Sequence, residues 1–182
     1  MIAIMSFVEN DLFGGLASQK RRFEPGGYLF HRGDPVQSLF RVVEGEVQLV
    51  RHQEAGAMIV LQRAMPGDVV AEASLFAASY HCDAVTRIEA IVEIVSRDAF
   101  LTHFRHAPDF AETWAARLAR EVQVMRLQNE ILSLKTVRER LQAWLAWHGD
   151  LPAKGEWVQL ARQIGVSPEA LYREIGKQRA RS

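Results

Sequence analysis

The chain has 182 residues, 48% of them hydrophobic, and its 22 Lys/Arg balance 22 Asp/Glu to leave no net charge. That apolar content suffices for real cores in one domain or two small ones. A single cysteine, Cys82, excludes internal disulfides and an all-cysteine metal site within one chain, and no apolar run reaches the ~18 residues of a membrane span.

Met1–Val8 is too short for a secretory core, so a cytoplasmic protein with no membrane partner is expected. Phe7–Ser18 reads as a short helix with Leu12, Phe13 and Leu16 on one side. From Lys20 the texture changes. Turn signals at Gly33-Asp34, Gly45, Gly56 and Gly67-Asp68 recur 12, 11 and 11 residues apart. Between them Glu46-Val47-Gln48-Leu49 alternates with period two, as a half-buried strand does. Strands at this spacing predict an antiparallel sandwich or roll ending near Ser96.

Between Pro108 and Gly149 there is neither proline nor glycine, which predicts helix. Leu118, Val122, Met125, Asn129 and Leu132 fit a heptad seam, and Val124, Leu127, Ile131 and Leu134 form a second. A helix apolar on two faces must be covered on both. One face can pack on the roll and the other on a second copy, as a parallel coiled coil with Asn129 fixing register. A core helix in a monomer is the alternative. Thr136-Val137-Arg138-Glu139 has the form of a capping box and predicts a helix break near Leu134.

Residues 1–134 hold 13 Lys/Arg against 17 Asp/Glu, whereas 135–182 hold nine against five, a basic final third suited to nucleic acid. Within it, the run from Leu160 to Arg173 resembles a helix-turn-helix. Ala161 permits close helix approach, Gly165 supplies a left-handed turn, and Val166 plugs the corner. Ser167 caps the second helix and Pro168 suits its first position. An ordinary helix pair would use the same chemistry.

Taken together, Gly33-Asp34-Pro35, Glu44-Gly45-Glu46-Val47, Pro66-Gly67-Asp68, Glu72, Leu75-Phe76 and Asp83-Ala84 resemble the sensor domain of the Crp/Fnr transcription regulators. The resemblance implies an α+β protein. A β-roll (jelly-roll) sensor would span 1–107, a dimerisation helix 108–134, and a small helix-turn-helix domain lacking the full wing 135–182. It implies a homodimer, with Leu118, Val122, Met125, Asn129 and Leu132 at the interface, that binds double-stranded DNA. Ser167 would meet phosphate, Glu169 and Arg173 base edges, and Lys177 the backbone. Gln178 stands where the family packs an apolar residue, and Gly176 costs about 1 kcal/mol within a helix.

By the same resemblance the effector pocket gathers Glu72, Leu75, Cys82, Asp83, Val124 and Met125. Glu72 stands where the family binds a ribose hydroxyl. Cys82 stands where an arginine neutralises the cyclic phosphate, and Asp83 follows it. A thiol and a carboxylate cannot pair a phosphate as a guanidinium does, so cyclic AMP is not expected. The iron–sulfur branch needs several cysteines and is excluded. His81-Cys82 leaves haem open as a cofactor, and His103-x-x-His106 lacks a third ligand for zinc. No catalytic set can be assigned by spacing, so an enzyme is not expected. The rival reading is a small-molecule or haem sensor, also dimeric, whose C-terminal domain does not bind DNA specifically.

Overall fold

The computed structural model describes Phe13, residues 15–54 and residues 56–179. The chain packs as two compact units, Met1–Ala111 and Glu112–Ser182.

The first unit is a roll of two antiparallel sheets. Its strands are β1 (Ser18–Phe23), β2 (Tyr28–Phe30), β3 (Ser38–Glu44), β4 (Val47–His52), β5 (Met58–Ala64), β6 (Val69–Val70), β7 (Asp83–Thr86) and β8 (Ala90–Ser96). One sheet runs β1-β8-β3-β6 and the other β2-β7-β4-β5. The glycines read as turn signals fall between strands. Gly45, at φ +87°, joins β3 to β4, and a Cβ there would strike the Glu89 carbonyl and lie 2.7 Å from Ala90 Cα. Only glycine fits that crossing.

The interior is closed by the inward residues of both sheets, with the Phe30 ring stacked on Tyr80 at 3.8 Å and tilted against Phe40 at 5.5 Å. Tyr80 donates its hydroxyl proton to the Ser38 carbonyl at 2.9 Å, so its polar end is satisfied where its ring is buried. Each fully buried large apolar side chain here stabilises the roll by roughly 1.5–3 kcal/mol. Ser96 then caps helix α1 (Arg97–His106), as the end read at that residue requires.

Helix α2 (Pro108–Ser133) is followed by α3 (Val137–His148), α4 (Trp157–Gln163) and α5 (Pro168–Arg179). The break after Ser133 has the capping box that the sequence spells. The Glu139 N–H donates to Thr136 Oγ1 at 3.1 Å, and the Thr136 N–H donates to the Glu139 carboxylate at 2.9 Å. The second unit has its own core. Leu127 and Ile131 of α2 pack there with Leu141, Trp144, Trp157, Leu160, Ala161, Ile164, Leu171 and Ile175.

Two expectations change. Most of the helix predicted over Phe7–Ser18 lies outside the described residues, but Leu16 and Ala17 are irregular and Ser18 opens β1. The second seam of α2 does not need the roll to bury its middle, because Leu127 and Ile131 are covered by α3–α5.

Candidate functional site

In the roll, Glu72 opens a short 3-10 turn, Glu72–Ser74, reached through Ala71 at φ +79°. Ala71 is the one non-glycine residue with positive φ among those described. Such a conformation costs about 1–2 kcal/mol and persists only where packing enforces it. Here Ala71 belongs to the core cluster, and Leu75 beyond the turn is buried at 1% exposure. The Leu75 carbonyl accepts from Arg97 Nε at 2.8 Å, which ties the turn to the start of α1.

Cys82 and Asp83, adjacent in sequence, are separated by the strand's alternation. Cys82 and Ala84 point into the core, and Cys82 is 1% exposed. Burial holds its thiol above the usual range, helped by the Asp83 and Glu72 charges and opposed by Arg51. Asp83 takes the other face. Its carboxylate accepts from the Arg32 N–H at 2.9 Å and lies 3.5 Å from His31 Nδ1 and 3.3 Å from His52 Nδ1. Partial burial raises its pKa, but the Arg32 N–H, the His52 contact and both imidazoles outweigh that and hold it below the ordinary aspartate range. The pocket set is therefore divided: Glu72, Leu75 and Cys82 share one region, while Asp83 is engaged with two histidines. Val124 and Met125 lie in the second unit, on α2, at 52% and 54% exposure.

Cys82 is enclosed as a thiol, and His81 Nδ1 is 2.9 Å from Ser74 Oγ. His103 packs on Phe110 at 4.6 Å, and His106 Nδ1 donates to the Thr102 carbonyl at 2.8 Å, so that pair is engaged locally. Among the described residues no group of three His, Cys, Asp or Glu could hold a metal ion, and no helix is long and apolar enough to cross a membrane.

In the second unit, α4 and α5 are joined through Gly165, whose φ of +64° is left-handed. The Val166 N–H closes the turn on the Ala161 carbonyl at 3.0 Å. Ser167 accepts from the Ala170 N–H at 3.2 Å and so caps α5 as expected. Leu171 and Ile175 face inward, and Glu169, Tyr172, Arg173 and Lys177 face out at helical spacing. Its own backbone N–H and the Ser167 hydroxyl hold the Glu169 carboxyl below the usual glutamate range. Tyr172, absent from the predicted set, stands in the same row with its ring 5.2 Å from Trp157. Its place three residues after Glu169 was the available signal.

On α2 the heptad seam is largely bare in the single chain. Val122, Met125 and Leu132 are 40%, 54% and 46% exposed, Asn129 is exposed, and Leu118 is half-buried.

Residues 20–106 match the family model for the cyclic nucleotide-binding domain. The chain is 30% identical over 125 residues to the cyclic AMP receptor protein of Thermus thermophilus, covering 68% of this chain and 57% of that one. It thus spans less than two thirds of that relative's length. It is 26% identical over 159 residues to the transcriptional regulator LdrP of the same organism, covering 85% and 78%. FixK2 from Bradyrhizobium japonicum shares the fold, with a TM-score of 0.65 at 19% identity over 91% of this chain and 86% of its own.

Proposed function

The chain carries a cyclic nucleotide-binding domain homologous to those of Crp/Fnr-type transcriptional regulators, and on that premise we propose that it is a DNA-binding transcription regulator and not an enzyme. The division of labour follows the notional segments 1–107, 108–134 and 135–182: sensor roll, dimerisation helix and DNA-reading unit. The observation that carries the reading is the outward row of α5. Glu169, Tyr172, Arg173 and Lys177 project from a helix whose N-terminus is capped by Ser167 and whose inner face is locked by Leu171 and Ile175. Arg173 has the fork to bond guanine bidentately, Glu169 can accept from a cytosine amine, and Lys177 suits phosphate.

Two copies joined along Leu118, Val122, Met125, Asn129 and Leu132 would present two such helices. Half-sites one DNA turn apart, about 34 Å, are then the natural target. An effector bound in the roll would act by favouring one arrangement of the pair over another. Position 82 offers a buried thiol, so a cyclic phosphate gains no cation from that residue.

The test is a gel shift on the DNA upstream of the protein's own gene, in parallel with Arg173→Ala. The variant should bind about tenfold or more weakly to the preferred sequence and lose discrimination at one base pair, equivalent to about 1–3 kcal/mol. No shift at low salt with any effector would instead favour the C-terminal unit as a partner surface. Unchanged base preference in the variant would remove Arg173 from the reading set.

A further inference from the structure

The helix break between Ser133 and Val137 is where the second unit would bend most easily, yet the contacts across it oppose bending. Arg140, on α3, donates from Nε to the Leu134 carbonyl at 2.9 Å and from Nη2 to the Leu132 carbonyl at 3.1 Å, at the end of α2. Its Nη1 donates onward to the Ile164 and Gly165 carbonyls at 3.1 and 2.8 Å, at the corner between α4 and α5. One planar fork is thus shared between the end of α2 and that corner. The Leu132 side chain lies against the same corner, with Cδ2 2.5 Å from where a Cβ on Gly165 would sit. Leu127 and Ile131 of α2 are 6% and 1% exposed, buried in the core formed with α3–α5. Trp144 Nε1 donates to Gln163 Oε1 at 3.1 Å and fastens α3 to α4 as well.

We propose that Arg140 is a positioning residue that makes the last turns of α2 and the helices α3–α5 one rigid block. The direction of α5 is then set by α2 and not by a hinge at Leu134–Thr136. The inference rests on reading α5 as the DNA-contacting helix. Bending at the break would part Arg140 from the Leu132 and Leu134 carbonyls and expose Leu127 and Ile131. Each exposed aliphatic disfavours the bent form by about ten- to a hundredfold. Where two copies pair along the seam that ends at Leu132, the separation of their α5 helices is fixed by the pairing itself. Charge alone does not supply this. An ammonium is a point donor and cannot span several carbonyls in one plane, so lysine is a poor substitute at 140. An effector bound elsewhere then shifts the reading helices only by turning whole blocks about the seam.

Limited trypsin digestion of the full chain tests the block without DNA. Lys135 is exposed at the break, and Arg173 is exposed within α5. The native protein should be cut at Lys135 no faster than at Arg173. In Arg140→Ala the cut at Lys135 should gain at least about tenfold over the cut at Arg173, and Arg140→Lys should behave nearly the same. A merely destabilising change would raise both sites together. Half-site spacing is the second readout, on duplexes bearing two copies of a half-site that the wild type selects from random DNA. The wild type should favour its best spacing over one about two base pairs away by about tenfold or more, and Arg140→Ala by under about threefold. A single half-site should bind both proteins alike. Preferential cutting of the wild type at Lys135, or a spacing optimum in Arg140→Ala as sharp as the native one, overturns the proposal. Should Arg140→Ala fail to fold by circular dichroism, the wild-type digestion and Arg140→Lys decide the matter. Absence of any selected DNA sinks the DNA reading alone, since the digestion still decides whether the block is rigid.

Discussion

The guanidinium of Arg140 donates from Nη1 to the Gly165 carbonyl at 2.8 Å, and so fastens α3 to the turn between α4 and α5. The same group reaches the Ile164 carbonyl at 3.1 Å, the Leu134 carbonyl from Nε at 2.9 Å and the Leu132 carbonyl from Nη2 at 3.1 Å. Carbonyls at helix ends have no intrahelical donor, and here one side chain satisfies those at the end of α2 and those at the end of α4. Arg140→Ala should therefore destabilise the protein by about 2–4 kcal/mol, discounted for partial exposure, in urea melts. Gly165→Ala should cost less, about 1–2 kcal/mol, because the nearest atom is the end of the exposed Leu132 side chain. Its φ is +64°, and a Cβ there would lie 2.5 Å from Leu132 Cδ2 and 3.2 Å from Arg140 Nη1. Losses under ~0.5 kcal/mol for both would show that the junction is not fastened this way.

Asp83 makes stability depend on acid. Its folded pKa lies below the ordinary aspartate range, so its contribution is complete above that range and is lost as pH falls through it. Between about pH 5 and pH 3 the wild type should lose melting temperature faster than Asp83→Asn. Near neutral pH the variant should be the less stable, by about 1–2 kcal/mol. Parallel melting curves over the acid range would contradict the assignment.

Cys82 is held as a buried thiol, with its pKa pushed up by its enclosure and by the Asp83 and Glu72 charges. Thiolate is the reactive form. Titration with a disulfide reagent at neutral pH should find the native thiol protected and the denatured chain fully reactive. Rapid labelling of the folded protein would mean that the roll opens at this point.

Met125 stands in the bare seam of α2 at 54% exposure. Met125→Glu would place two like charges side by side if copies pair in parallel there, and should convert a dimer to a monomer in sedimentation velocity. Secondary structure by circular dichroism should stay intact, since the side chain is not part of the described core. An unchanged sedimentation coefficient would remove this seam from the interface.

The sequence made the roll legible because its turns fall on glycines that the crossings demand, Gly45 above all. The capping box at Thr136 and the Gly165–Pro168 corner were legible for the same reason: local chemistry fixes them without help from distant residues. What escaped was directional or tertiary. The opposed faces of Cys82 and Asp83 follow from strand alternation, yet motif position alone grouped them. Arg51 carries no motif, and its bearing on Cys82 depends on the β4–β7 register. Nor does anything local mark Arg140, whose four acceptors come from residues up to 25 positions away. The burial of Leu127 and Ile131 by later helices likewise arises only once α3–α5 have folded back.

The twist at Ala71 has one more implication. A residue forced against its own backbone preference keeps the adjoining turn in shape only while the surrounding side chains press on it. A substitution that thins that crowd slackens the constraint as well. The packing around Ala71 and the posture of the Glu72–Ser74 turn are in that sense a single mechanical variable, wound in advance by the chain itself.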